Sequence, residues 1–336
     1  MMNLKRWMGL ILTLMLYYPM SVRAQPLVDT SISINKIYGV NTVDQTYQID
    51  GYLVTSWKLD QPSAFFPAQG EKICENSCVD TLIKSGLWVP AFEFINIIGK
   101  RQTANKRLVL TAAGGVIYNE RFSGTFTTAM DFRKFPFDQQ SFDIIMEPFS
   151  YEKSQLSFRH VSVFLEALEN QTISEWDMTD KPVSRVTESV YHHIENDHPS
   201  YFSRLEVHIQ AKRKPNYYIW QFLLPLSLIL IASWSVFWID GFTERLMTSF
   251  TMMLTVVAYT FYTSSLLPRL PYTTFIGRMV VLGYVSIFTA ILVIVFVKIR
   301  EEKQKTSFRI VHHCRYLFPL LSIIAVALLV EANHCL

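Results

Sequence analysis

Between Leu246 and Pro268 the chain carries hydroxyls on Thr248, Ser249, Thr251, Thr255, Thr260, Thr263, Ser264 and Ser265, in a run without a single charged residue. Met247, Thr251, Leu254, Ala258, Phe261 and Ser265 follow one another at steps of four and three, which draws one stripe along a helix. Glu244 and Arg245 stand at the start of that stripe. A helix with a mixed polar and apolar stripe and a carboxylate at its mouth suits the wall of a water-filled pore. The competing chemistry for the same hydroxyls is to bond back onto their own helix carbonyls inside a bundle.

Two further clusters carry chemistry-bearing groups. His192, His193 and His198 with Asp197 could hold a metal, but a solvated hairpin fits the same pattern, and no metal is expected. Ser150 and Lys153 match S-x-x-K without its companion motifs, so neither an enzyme nor a cofactor is expected.

One helix cannot enclose a pore, so several copies must surround an axis, in a closed ring. Leu254 and Phe261 would then form apolar constrictions that block ions by dewetting, with Met247 and Thr251 lining the cytoplasmic half. The rival reading is a membrane-anchored binding receptor or transporter without its own ion pore, which has no need of a period-matched stripe.

The elements that must position this helix follow from composition. Of 336 residues, 50% are apolar and 18% charged, which is too apolar for a soluble enzyme of this size and excludes a disordered chain. A net charge of +3 is too small to suggest a nucleic-acid binder, and no nucleic-acid partner is expected. Residues 1–24 read as a signal peptide: Lys5 and Arg6, an apolar run from Trp7 to Tyr18, then Val22-Arg23-Ala24. Charge-free runs Pro215–Ile239, Leu246–Pro268, Met279–Val297 and Tyr316–Val330 approach the ~20 residues a spanning helix needs. The expected helices are about 215–239, 245–268, 272–298 and 310–331. Lys298, Arg300, Lys303, Lys305, Arg309 and Arg315 put the third loop in the cytoplasm and both chain ends outside.

Residues 25–214 alternate in strand fashion. Leu205, Val207, Ile209 and Ala211 point one way while Arg204, Glu206, His208 and Gln210 point the other. Similar runs occur at Tyr47–Trp57, Lys106–Thr111, Val116–Phe126, Phe142–Met146 and Arg159–Leu165. The expected fold is an all-β extracellular sandwich followed by a four-helix transmembrane bundle at 215–336. Cys74 and Cys78 are close enough for a local bridge, and two free thiols fit as well.

The chain resembles the pentameric ligand-gated ion channels of the Cys-loop receptor superfamily, in their prokaryotic branch. The resemblance rests on Phe135-Pro136-Phe137-Asp138 followed by Gln140, on Arg213, on Pro225, and on Pro268-Arg269-Leu270-Pro271. Animal members flank the first loop with cysteines, and here those positions hold Thr128 and Phe142. Glu244 to Tyr272, Trp88-Val89-Pro90 and Glu147-Pro148-Phe149-Ser150-Tyr151 resemble most closely the amine-gated bacterial type.

The resemblance implies a homopentamer in the cell inner membrane, with the N-terminal domain and C-terminus on the periplasmic side, membrane lipid around it and monovalent cations passing through. It implies a small-molecule agonist bound between subunits. Pro90, Glu93, Asn96, Glu147, Phe149, Tyr191 and Phe202 would form the principal side, and Tyr52, Arg107 and Asn119 the neighbouring one. Gating would pass through Phe135, Pro136, Phe137, Asp138, Arg213, Pro268 and Arg269, with Arg213 paired to an acid that the sequence does not identify. Protonation of His192, His193 and His198 beside a pocket for cations, and of Glu93 or Glu147 within it, predicts that acid opposes opening.

Overall fold

The computed structural model describes residues 26–59, 64–165, 175–178, 181–192, 198–303 and 308–335. The expected signal peptide, His193, Asp197 and Lys305 lie outside them. Period-two patterning gives eleven strands in the N-terminal half, among the described residues. They are β1 (Leu27–Asn41), β2 (Thr46–Lys58), β3 (Glu71–Glu75), β4 (Phe92–Phe94), β5 (Ile97–Thr111), β6 (Gly115–Thr127), β7 (Gln139–Pro148), β8 (Ser157–Leu165), β9 (Trp176–Met178), β10 (Val183–Tyr191) and β11 (Ser200–Arg213). A short helix, α1 (Ser77–Lys84), follows β3. Its first turn is tied back by a Cys74–Cys78 disulfide, which settles the two alternatives for those thiols.

The strands form two sheets, one in the order β3-β5-β6-β2-β1-β8 and one in the order β10-β11-β7-β4, with β9 on β11. Their facing sides make one core: Leu205, Val207, Ile209 and Ala211 are fully buried, as the alternation predicts, and meet Phe142, Ile144 and Met146 of β7 and Phe122 and Phe126 of β6. A two-layer packing of this kind turns the outer faces of the sheets in opposite directions.

Four apolar helices long enough to cross a membrane follow: α2 (Asn216–Trp238), α3 (Phe242–Thr263), α4 (Phe275–Lys303) and α5 (Phe308–Cys335). In α2 the ring of Pro225 offers no N–H, and the turn before it, Ile219–Leu223, widens into a π-helix.

The second helix ends earlier than expected, at Thr263 rather than at residue 268. Thr263, Ser264 and Ser265 each donate a hydroxyl to the carbonyl three residues back, on Thr260, Phe261 and Tyr262. These bonds compete with the helix ladder ahead of Pro268, so Ser265 lies past the helix end rather than on its stripe.

Candidate functional site

The sequence singles out three sets of residues, and the fold places each differently. On α3 the residues of the predicted stripe, Glu244, Met247, Thr251, Leu254, Ala258 and Phe261, are all exposed in the single chain, as is Ser265 beyond the helix. The opposite face is committed. Ser249, Val256 and Tyr259 are buried, the Tyr259 hydroxyl donates to the Phe222 carbonyl of α2 at 2.7 Å, and the Thr260 and Tyr284 hydroxyls meet at 2.8 Å.

All eight hydroxyls of the segment do bond back to carbonyls of their own chain. What distinguishes the predicted stripe is therefore its lack of neighbours in the single chain rather than free donors. Arg245 turns away, its Nε donating to the Ile239 carbonyl at 2.6 Å. Glu244 folds against Gly241, in the space a Cβ would occupy, and Gly241 holds a φ of 87° that suits glycine. The carboxylate thus stays at the helix N-terminus, where the backbone dipole favours it.

The two halves of the expected agonist pocket lie on opposite outer faces. Tyr52, Arg107 and Asn119 share the outer face of the six-stranded sheet, since Arg107 stands opposite Asn119, and Asn119 opposite Val54, two residues from Tyr52. Glu147, Tyr191 and Phe202 stand on the outer side of the other sheet. The Tyr191 and Phe202 rings meet edge to face with centroids 5.6 Å apart, and the Tyr191 hydroxyl donates to Glu147 at 3.0 Å. One chain cannot close both halves on a single ligand, so the composite pocket requires two copies.

Several expectations for the principal side change. Glu147 is buried and its carboxylate is taken by Arg204, whose Nε donates to it. Burial pulls the Arg204 pKa down, but the bond and charge of Glu147 outweigh this and hold it above its ordinary value. The buried acid is therefore compensated before any ligand arrives. Asn96 is spent on the framework: its amide donates to the Thr127 and Asp143 carbonyls and accepts from the Ile145 N–H. Pro90 is buried.

In the single chain Asn96 is committed to backbone partners and Pro90 to packing within its own loop. Glu93 and Phe149 are exposed. The sequence reading missed Arg204 as the partner of Glu147. The outward alternation of β11 places it on the right face, but the strand register that sets it opposite Glu147 is not visible in one sequence.

At the membrane-facing end the partner of Arg213 is Asp138. The two side chains are almost completely buried and form a fork, Nε to Oδ1 at 2.9 Å and Nη2 to Oδ2 at 3.2 Å. The guanidinium also lies over the rings of Trp176, Phe135 and Tyr218, with centroid distances of 4.2, 4.9 and 5.5 Å. Gln140 also donates to Oδ2 of Asp138 at 2.6 Å, and Nη1 of Arg213 donates to the Thr42 and Tyr218 hydroxyls at 3.3 Å, so both members of the charge pair are hydrogen-bonded.

The loop touches the helices directly. Phe137 packs on Phe275 of α4 at 5.7 Å, the Phe135 and Tyr218 rings meet at 4.8 Å, and the Phe132 N–H donates to the Tyr272 hydroxyl at 3.1 Å. The linker after α3 bonds to the loop through Tyr272, while Arg269 is exposed and Pro268 half-buried.

A profile of the neurotransmitter-gated ion-channel ligand binding domain matches residues 16–215. The chain is similar to the proton-gated ion channel of Gloeobacter violaceus, 24% identical over 319 residues, covering 91% of this chain and 83% of that protein. It is also similar to the gamma-aminobutyric acid receptor subunit beta-4 of Gallus gallus, 27% identical over 295 residues, 83% of this chain and 58% of that subunit. The gamma-aminobutyric acid receptor subunit beta of Lymnaea stagnalis is 26% identical over 266 residues, 75% of this chain and 52% of that subunit. The chain spans little more than half the length of the two animal subunits.

Proposed function

From the premise that this chain belongs to the family of the neurotransmitter-gated ion-channel ligand binding domain, we propose a homopentameric, cation-selective channel of the inner membrane, opened by a small amine bound between subunits and opposed by acid. The observation that carries it is the exposed stripe of α3, packed on its back and unpartnered on its front. A receptor that used its helices only as an anchor would have no reason to leave a polar and apolar stripe facing nothing.

Selectivity follows from Glu244. A ring of copies gathers its carboxylates at the cytoplasmic mouth, raising the local cation concentration, while Arg245 is held against the end of α2. Glu244→Gln is expected to reduce single-channel cation conductance several-fold and to shift the reversal potential in a salt gradient toward zero. An unchanged conductance would remove Glu244 from the pathway.

The agonist reading rests on Phe149, Tyr191 and Phe202, with Glu93 as the exposed carboxylate. A cation between ring faces gains about 0.5–2 kcal/mol per ring. Phe202→Ala is therefore expected to raise the half-activating amine concentration about tenfold, since ~1.4 kcal/mol is one decade. Stronger activation by a carboxylate ligand than by any amine would contradict this pocket chemistry.

A further inference from the structure

Strands β7 and β11 carry three acid–base pairs along their length. Glu147 faces Arg204 at the pocket end and Asp138 faces Arg213 at the membrane end, while Asp143 stands directly opposite His208 between them. The outer pairs join a carboxylate to a guanidinium. Only the middle pair contains an imidazole, the side-chain type whose charge is sensitive to physiological pH.

The surroundings of His208 make that change matter. Its Nδ1 lies 2.8 Å from Asp143 Oδ1, and its Nε2 lies 3.8 Å from Glu206 Oε2. Asp143 also accepts from the Ser141 and Thr128 hydroxyls, and Glu206 from the Thr187 hydroxyl of β10 at 3.0 Å. Arg185 of β10 stands opposite Glu206, and Arg204 and Lys212 flank His208 on its own strand. The backbone carbonyl of Asp143 accepts from the Tyr47 hydroxyl of the other sheet and from Asn96, which fixes the acid in place.

In the neutral ring the one N–H must serve Asp143, so Nε2 presents a lone pair toward the Glu206 carboxylate, acceptor against acceptor. A second proton turns Nε2 into a donor, and the imidazolium then bridges both carboxylates.

We propose that His208 is a proton-operated clasp. Protonated, it adds a charge to the Asp143 bond that ties β11 to β7 midway between pocket and membrane loop, and it resists the movement of the β10–β11 hairpin that opens the channel; deprotonated, it keeps only the weaker neutral bond. The proposal rests on the channel reading above and moves its pH sensitivity from the hairpin histidines to the sheet.

The test is the agonist response of the purified channel in bilayers from pH 5 to 9. Wild type, His208→Gln, His208→Lys and His192→Gln are compared, each confirmed as an assembled oligomer. Wild type is expected to need about tenfold more agonist at pH 5 than at pH 8. His208→Gln should flatten the profile, His208→Lys should respond at every pH as wild type does in acid, and His192→Gln should keep the wild-type profile. A His208→Gln profile superimposed on wild type overturns the clasp while leaving the channel intact.

Hydrogen exchange of the β7 and β11 amides, corrected for intrinsic rate, decides the matter without current. Protection that rises in acid in wild type but not in His208→Gln supports the clasp, and equal profiles overturn it. A chain that carries no current yet shows this exchange pattern contradicts the channel reading and not the clasp.

Discussion

Replacing Leu254 by serine is expected to lower the half-activating agonist concentration by about tenfold or more and to raise the resting leak. Leu254 is 69% exposed on α3, on the face that neither α2 nor α4 covers. In the proposed ring of copies that face would turn inward, and the isobutyl groups would form an apolar collar. Water leaves such a collar readily, and ions do not cross a dry one.

Serine replaces the collar with hydroxyls and hydrates it, so the closed state loses what stabilises it. Each leucine carries about 1.5–3 kcal/mol of apolar burial, and a closed ring repeats the change in every subunit. Currents recorded with and without agonist check it. If leak and sensitivity both match wild type, the collar is not the gate, and Phe261, exposed about two helical turns further along the same stripe, becomes the position to change.

The second large effect is at the buried charge pair. Arg213→Gln leaves Asp138 with Gln140 as its remaining side-chain donor in a site from which water is excluded. Removing one partner of such a pair costs about 3–5 kcal/mol. The expected result is a marked fall in the thermal midpoint and loss of agonist-evoked current with surface or membrane assembly reduced.

Asp138→Asn should be equally damaging, because it strands a guanidinium among the rings of Trp176, Phe135 and Tyr218. The double variant should recover part of the stability lost by either single one, since no charge is then left unpaired. Simple additivity of the two losses would show that the pair does not act as a unit.

Much of this architecture was legible in the residues. Strict alternation in β11 announced which side chains enter the core, because its apolar set is unbroken from Leu205 to Ala211. The charge-free runs marked the four helices because a bilayer's thickness sets a minimum length. Strand β1 was missed although Val28, Thr30, Ile32 and Ile34 alternate with Asp29, Ser31 and Ser33: the polar Thr30 on the buried face and the register shift between Ile34 and Lys36 weaken the apolar signal of that period.

Pairing was the larger gap. Asp138 and Arg213 were both singled out, and Glu147 and Arg204 were both in view, but which acid meets which base depends on the register of β7 against β11. That register is set by the whole sheet and not by either strand. The same gap hid the partners of Asn96, whose side chain completes backbone bonds of β7.

The most direct measurement is the current carried by the purified chain in a planar bilayer with a potassium chloride gradient, before and after a series of small amines is added. A cation channel gated by an amine gives currents that appear with agonist and reverse near the potassium equilibrium potential. Assembled oligomers that stay silent across amines and across pH, or that reverse near the chloride potential, would contradict it.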